Sequence, residues 1–141
     1  MSARVTTLQR RADLLRKLDE QQRRLVRTAQ QLAQKLQEKA GGDRDKERQL
    51  RNILAMAEQG SCWALVNLFI RYQTARDQLP ISWCDFAIGQ LAGLRDLAQE
   101  IVGASDEGLV EQVHLELVKR VLGYTIWWYV WLSKGESKGR G

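Results

Sequence analysis

Few side chains in this sequence can do chemistry, and their spacing narrows them further. His114 is the only histidine. It falls on an apolar helical stripe, where the usual role is a hydrogen-bonded core residue rather than a base or a ligand. Cys62 and Cys84 are the only cysteines and lack metal-ligand spacing. The stretch "SCWAL" at 61–65 sets a serine beside Cys62, yet that one histidine is the only base to pair with it. The glycines form neither a phosphate-binding loop nor a dinucleotide fingerprint. These patterns point away from an enzyme, and no cofactor or metal is expected.

Two other groupings remain. Arg10, Lys17, Arg24, Lys35 and Lys39 share one side of a helical wheel, with Arg16, Arg23 and Arg27 beside them. Such a stripe can be a solvated face whose long side chains cover apolar surface. It can equally track phosphates, since Lys and Arg release counterions on meeting a polyanion. Asp13, Asp19, Glu20 and Glu38 dilute the stripe, and no aromatic is interleaved with it, so base stacking is not expected there.

The second grouping is "YTIWWYVWL" at 124–132, which holds three of the five tryptophans and two of the three tyrosines. The uncharged run 121–133 is shorter than the roughly 20 apolar residues of a spanning helix. Lys119, Arg120 and Lys134 flank it, so no membrane partner is expected. Val110, His114, Leu117, Val121, Tyr124, Trp128 and Trp131 form an inward stripe. Leu115, Leu122, Ile126 and Tyr129 line the opposite face, which on a surface helix should be polar. A helix apolar on both faces is central in its bundle or paired with something outside. These four residues are read as a protein interface, with core burial as the alternative; Trp and Tyr are enriched at interfaces.

The elements that position these groups are helices. The chain has 141 residues, 44% hydrophobic and 28% charged, with one proline and no strand-like alternation. The expectation is an all-α bundle of about five helices with a long basic first helix and a long aromatic last one. It would form a single domain over residues 1–133, followed by a flexible tail, 134–141.

The first helix, 7–40, carries a heptad seam of Leu8, Arg11, Leu15, Leu18, Gln22, Leu25, Ala29, Leu32 and Leu36. Gly41-Gly42 ends it and Asp43 caps a second helix, 44–59. The third, 62–78, is apolar almost all round near its start and so is assigned the middle of the bundle. Ser82 with Asp85 forms a capping box for a fourth helix reaching Val102, where Gly89 and Gly93 share a flank that calls for a close backbone neighbour. Ser105 caps the fifth helix, which runs to Ser133.

Charge is unevenly placed. Residues 1–51 hold 14 Lys and Arg against 7 Asp and Glu, a net +7, whereas residues 52–132 hold 5 against 9, a net −4. A basic first third on an acidic body suits an anionic partner, either nucleic acid or the acidic face of a protein. Two cysteines and no apolar N-terminal segment lead to an expected cytoplasmic location with free thiols.

"RYQTARDQLP" followed by a helix with small residues, "RQLRNILAMAEQ" at 48–59 and "LELVKRVLGYTIWWYVWL" at 115–132 together resemble the small helical subunit of CRISPR effector complexes. The likeness covers residues 48–133 and is diffuse. It implies a five- or six-helix bundle that does no catalysis and lines a ribonucleoprotein beside its backbone and large subunits and other copies of itself. Basic side chains would contact RNA or DNA through phosphates. The resemblance adds Arg71, Arg76, Lys119 and Arg120 as candidate contacts, although each can also form an ion pair inside the bundle, with Asp77 or Glu116. A reading of another class is a coiled-coil adaptor that uses the heptad seam to pair with a second protein.

Overall fold

The computed structural model describes residues 3–59, 62–103 and 106–135, with side chains from Gln9 onward. The order is α1 Ala3–Glu20, α2 Gln22–Ala40, α3 Arg44–Glu58, α4 Trp63–Ala75, α5 Ile81–Val102 and α6 Glu107–Val130. A π-helical turn, Trp131–Gly135, follows α6. The described residues are all-helical, with six α-helices where about five were expected. Of the expected tail, 136–141 lies outside the described residues.

The additional helix arises at Gln21, where the long first helix breaks. Gln21 has φ −91° and ψ 0°, and its N–H reaches back only three residues, to the Leu18 carbonyl at 3.1 Å. The seam explains why a break is tolerated: its positions Arg11 and Gln22 are polar and exposed, so no continuous apolar stripe holds the two halves in line. Leu25, Ala29, Leu32 and Leu36 of α2 are buried in the bundle's own core, whereas Leu15 of α1 is largely exposed. Little of the seam remains for pairing with a second protein.

Local chemistry sets the other boundaries. Asp43 caps α3, its carboxylate accepting the Asp45 N–H at 2.9 Å. Gly41 sits at φ 68° and ψ −160°, a region essentially restricted to glycine. α5 begins at Ile81, ahead of the expected capping box. Pro80, at φ −65° and ψ 139°, already supplies the cap geometry, and its carbonyl accepts the Cys84 N–H at 3.0 Å. Ser82 therefore falls inside the first turn and caps nothing. Gly103 ends α5 in the left-handed region. Asp106 caps α6 through the Leu109 N–H at 3.1 Å; Ser105 lies outside the described residues. A methyl group built on Gly89 or Gly93 would meet nothing within 4 Å, so no backbone approaches that flank.

The centre of the bundle is α6, not the segment around residues 62–78. α6 packs along α2, α3 and α5, and its expected outer face is core: Leu115, Leu122, Ile126 and Tyr129 are buried. The protein interface expected at these four residues is thereby corrected. α4 lies outside, burying only Val66, Ile70 and Gln73, while Leu68 is 62% exposed. Both helices are apolar almost all round near their aromatic ends. The 24-residue α6 offers the longer apolar surface and takes the position with neighbours on more sides.

Polar atoms fasten the aromatic end of α6. The Trp128 Nε1–H donates to the Val26 carbonyl at 3.0 Å, and Gln37 Nε2 donates to the Leu132 carbonyl at 2.9 Å. Tyr129, 1% exposed, sends its hydroxyl to the carbonyls of Gly41 at 2.7 Å and Asp43 at 3.1 Å. Burial pushes the Tyr129 pKa up to about 12, so it stays a donor throughout the physiological range. Trp83 of α5 ties to α2 in the same way, donating to the Leu32 carbonyl at 2.9 Å.

Two substitutions test this arrangement. Ile126→Ala should cost roughly 2–5 kcal/mol of stability, the range for truncating a buried aliphatic. Tyr129→Phe, which leaves two loop carbonyls without their donor, should cost roughly 1–2 kcal/mol. Urea denaturation followed by circular dichroism measures both; losses near zero would put these residues back on an outer face.

Candidate nucleic-acid interface

The expected cations divide into free and paired groups. On α1, Arg16 lies between Asp13 and Glu20, and Lys17 also reaches Asp13, at 3.2 Å. Hydrogen bonds from Arg16 and then Lys17 hold the Asp13 carboxyl below its ordinary range. All of these groups are solvent-exposed or nearly so, and such pairs contribute little stability. On α2, Lys35 lies over the Phe86 ring, 5.6 Å from its centroid. Arg10, Arg23, Arg24, Arg27 and Lys39 are exposed, and none is within 4 Å of a carboxylate among the described residues.

The stripe is therefore not uniform. Its α1 part is largely neutralised, and its free charge is concentrated on α2. The reason lies in the packing: α2 buries Leu25, Ala29, Leu32 and Leu36, which turns Arg23, Arg24 and Arg27 outward.

The four candidate cations of the body, Arg71, Arg76, Lys119 and Arg120, are engaged. Lys119 pairs with Glu116 at 3.9 Å, while Arg120 bridges Asp19 at 3.0 Å and Glu116 at 3.5 Å, tying α6 to the end of α1. Arg71 donates to the Asn67 side chain at 2.9 Å, and Arg76 lies over the Tyr72 ring at 5.3 Å. Glu116 is thus the partner expected for Lys119 and Arg120, whereas neither Arg71 nor Arg76 pairs with Asp77. Arg71 also lines a groove of about 780 Å³ with Lys39 and Lys46, but Asp77 and Asp85 stand in the same walls.

The residues that sequence reasoning missed are aromatic. Trp127 is 73% exposed and Trp131 53% exposed; Tyr124 and Trp128 are half-buried beside them. With Gln22, Arg23 and Val26 of α2 they line a groove of about 830 Å³ that contains no carboxylate among the described residues. Trp131, placed on the inward stripe by its spacing, points out instead. A signal for this was available. Gln112, Glu116 and Lys119 mark the polar line of α6, and extending that line through Gly123 at helical spacing reaches Trp127 and then Trp131.

The groups with catalytic potential are dispersed. His114 is buried, its Nε2 donating to the Leu91 carbonyl at 2.9 Å, and its ring is tilted 52° against Trp63. Its Nδ1 has no hydrogen-bond partner among the described residues. Cys62 and Cys84 are both free thiols. Among the described residues no group of three or more His, Cys, Asp or Glu side chains could hold a metal ion. No described helix is long and apolar enough to cross a membrane.

Comparison with protein-family models, curated proteins and solved structures finds no match for this chain.

Desolvation lowers the His114 pKa, and the nearby Arg95 charge adds to the effect against the opposing Leu91 bond and Glu111. The folded state thus takes up the proton less readily than the unfolded chain. The associated stability is fully present above the unfolded value of about 6.5 and is lost as pH falls through the window below it. Thermal midpoints should accordingly decline from pH 7 to pH 5, before most carboxylates titrate. His114→Gln, which can still donate to Leu91, should flatten that decline. An equal slope in both proteins would assign the effect elsewhere.

Proposed function

We propose that this protein is a non-catalytic helical subunit that holds nucleic acid through backbone phosphates, with the outward face of α2 as its main contact. The observation that carries the reading is the cluster of cations without a carboxylate partner among the described residues, Arg23, Arg24, Arg27 and Lys39, on one helix whose other side is fixed in the core. An exposed arginine without a carboxylate partner can meet a phosphate without first breaking an ion pair. The net +7 of residues 1–51 against the net −4 of 52–132 favours docking that face, and not the body, on a polyanion.

The resemblance to small subunits of CRISPR effector complexes supports the same chemistry and supplies a setting. The chain would sit beside backbone and large subunits and further copies of itself, along guide, target or displaced strand. In that setting Lys119, Arg120, Arg71 and Arg76 act second, because each must first leave or share its present partner. The coiled-coil adaptor is the weaker reading, since Leu25, Leu32 and Leu36 of its seam are already buried.

Phosphate contacts position a protein without reading bases, so binding should be insensitive to sequence and fall steeply with salt. The triple variant Arg24→Gln, Arg27→Gln, Lys39→Gln keeps good helix formers on an exposed face, and its fold should persist. Its log–log salt slope should be smaller in magnitude by roughly 0.7–0.9 for each phosphate that is no longer neutralised. Fluorescence anisotropy of labelled oligonucleotides across a salt series measures this. An unchanged affinity and slope would mean that the α2 face is only solvated.

A further inference from the structure

We infer that the groove between α2 and α6 binds single-stranded nucleic acid by stacking bases on Trp127 and Trp131, an inference that rests on the phosphate-contact reading and extends it to the form of the ligand. Four aromatic side chains share this groove, and two of them are more than half exposed. The Tyr124 and Trp127 rings lie 6.1 Å apart and tilted by 53°, so they do not cover each other's faces. Trp127 is left with an open ring surface. Exposed indoles of this kind are costly in water and are the usual platform for unpaired bases.

Charge identifies the occupant. Arg23, which has no carboxylate within 4 Å among the described residues, stands in the groove wall, and no acid among the described residues lines it. On the other side of the same ridge, Tyr124 and Trp127 also line a second groove of about 400 Å³ that holds Arg51, Lys119 and Arg120 with Glu58 and Glu116. Those cations are held by carboxylates, Arg51 by Glu47, Lys119 by Glu116 and Arg120 by Asp19 and Glu116, so the charge open to a ligand is that of Arg23. An aromatic ridge with such a cation on its α2 flank suits a ligand that alternates flat apolar rings with anionic links. A duplex does not fit this description, because its bases are already stacked on one another and only its phosphates face outward. The match is therefore to a single strand, with bases against the tryptophans and phosphates toward Arg23.

Gly135 contributes to the platform. A side chain there would overlap the Trp131 ring, so the glycine lets the π-helical turn lie close against that indole.

The test uses the full chain with a dT12 strand and a 12-base-pair duplex. The single strand should quench tryptophan fluorescence and bind more tightly than the duplex. Trp127→Ala with Trp131→Ala should weaken dT12 binding by at least about fivefold, the lower end expected when one stacked aromatic is removed, while leaving the salt slope unchanged. Trp127 is mostly solvent-exposed, so Trp127→Ala alone serves should the double variant fail to fold, and quenching of the unaltered protein needs no variant. Equal binding of both forms, without quenching and without effect of the substitutions, overturns the stacking inference but leaves the phosphate reading in place. Absence of binding to either form overturns both. A double variant that changes only the self-association of the chain, seen by sedimentation, assigns the groove to a second copy and overturns the inference as well.

Discussion

The bundle depends on α6 being buried along most of its surface while its aromatic end stays fastened to α2 and to the turn that follows it. Burial of Leu115, Leu122, Ile126 and Tyr129 supplies the apolar part of that attachment. Direction comes from three side chains: Trp128 bonded to Val26, Gln37 to Leu132, and Tyr129 to Gly41 and Asp43. Apolar packing alone would allow α6 to rotate or slide. A buried indole N–H or phenol O–H deprived of its carbonyl would be left unsatisfied, so these bonds fix one register. Once the register is set, the residual outward strip of α6 lies beside the start of α2. The basic residues of α2 then have no direction left but outward.

That geometry connects two features that look unrelated along the chain. Arg23 and Trp127 are separated by about a hundred positions but line the same groove. A charge stripe without aromatics is a generic polyanion surface, and an aromatic run without charges is core or a protein contact. Side by side they form the surface proposed to bind a single strand, whose affinity would come from phosphates and whose preference for unpaired bases would come from the indoles.

Much of the fold was legible in the sequence because it rests on local chemistry. The Asp43 cap, the glycine stop at Gly103 and the buried positions Trp83, Ala87, Leu94, Ala98 and Ile101 of α5 follow from spacing and residue type. The break at Gln21 was less visible, since glutamine is a good helix former and only the polar seam positions around it hint at a weak join. Which of two all-round apolar segments becomes central is a competition between surfaces. Spacing along either one does not decide it, and that choice inverted the assignment of Leu115, Leu122, Ile126 and Tyr129. The candidate site was legible as far as exposure goes: Arg10, Arg23, Arg24, Arg27 and Lys39 are outward as expected. Pairing was legible only where a carboxylate lay three or four residues away on the same helix, as with Arg16 and Lys119. The link from Arg120 to Asp19 spans the fold and had no local signal.

The most direct test of one surface shared by α2 and α6 is a map of photo-induced cross-links between the full chain and dT12, read by mass spectrometry of the joined peptides. The account predicts adducts on Trp127 or Trp131, with further adducts on the segment holding Arg23 to Arg27. Cross-links confined to α4 and α5, with the end of α6 untouched, would contradict it.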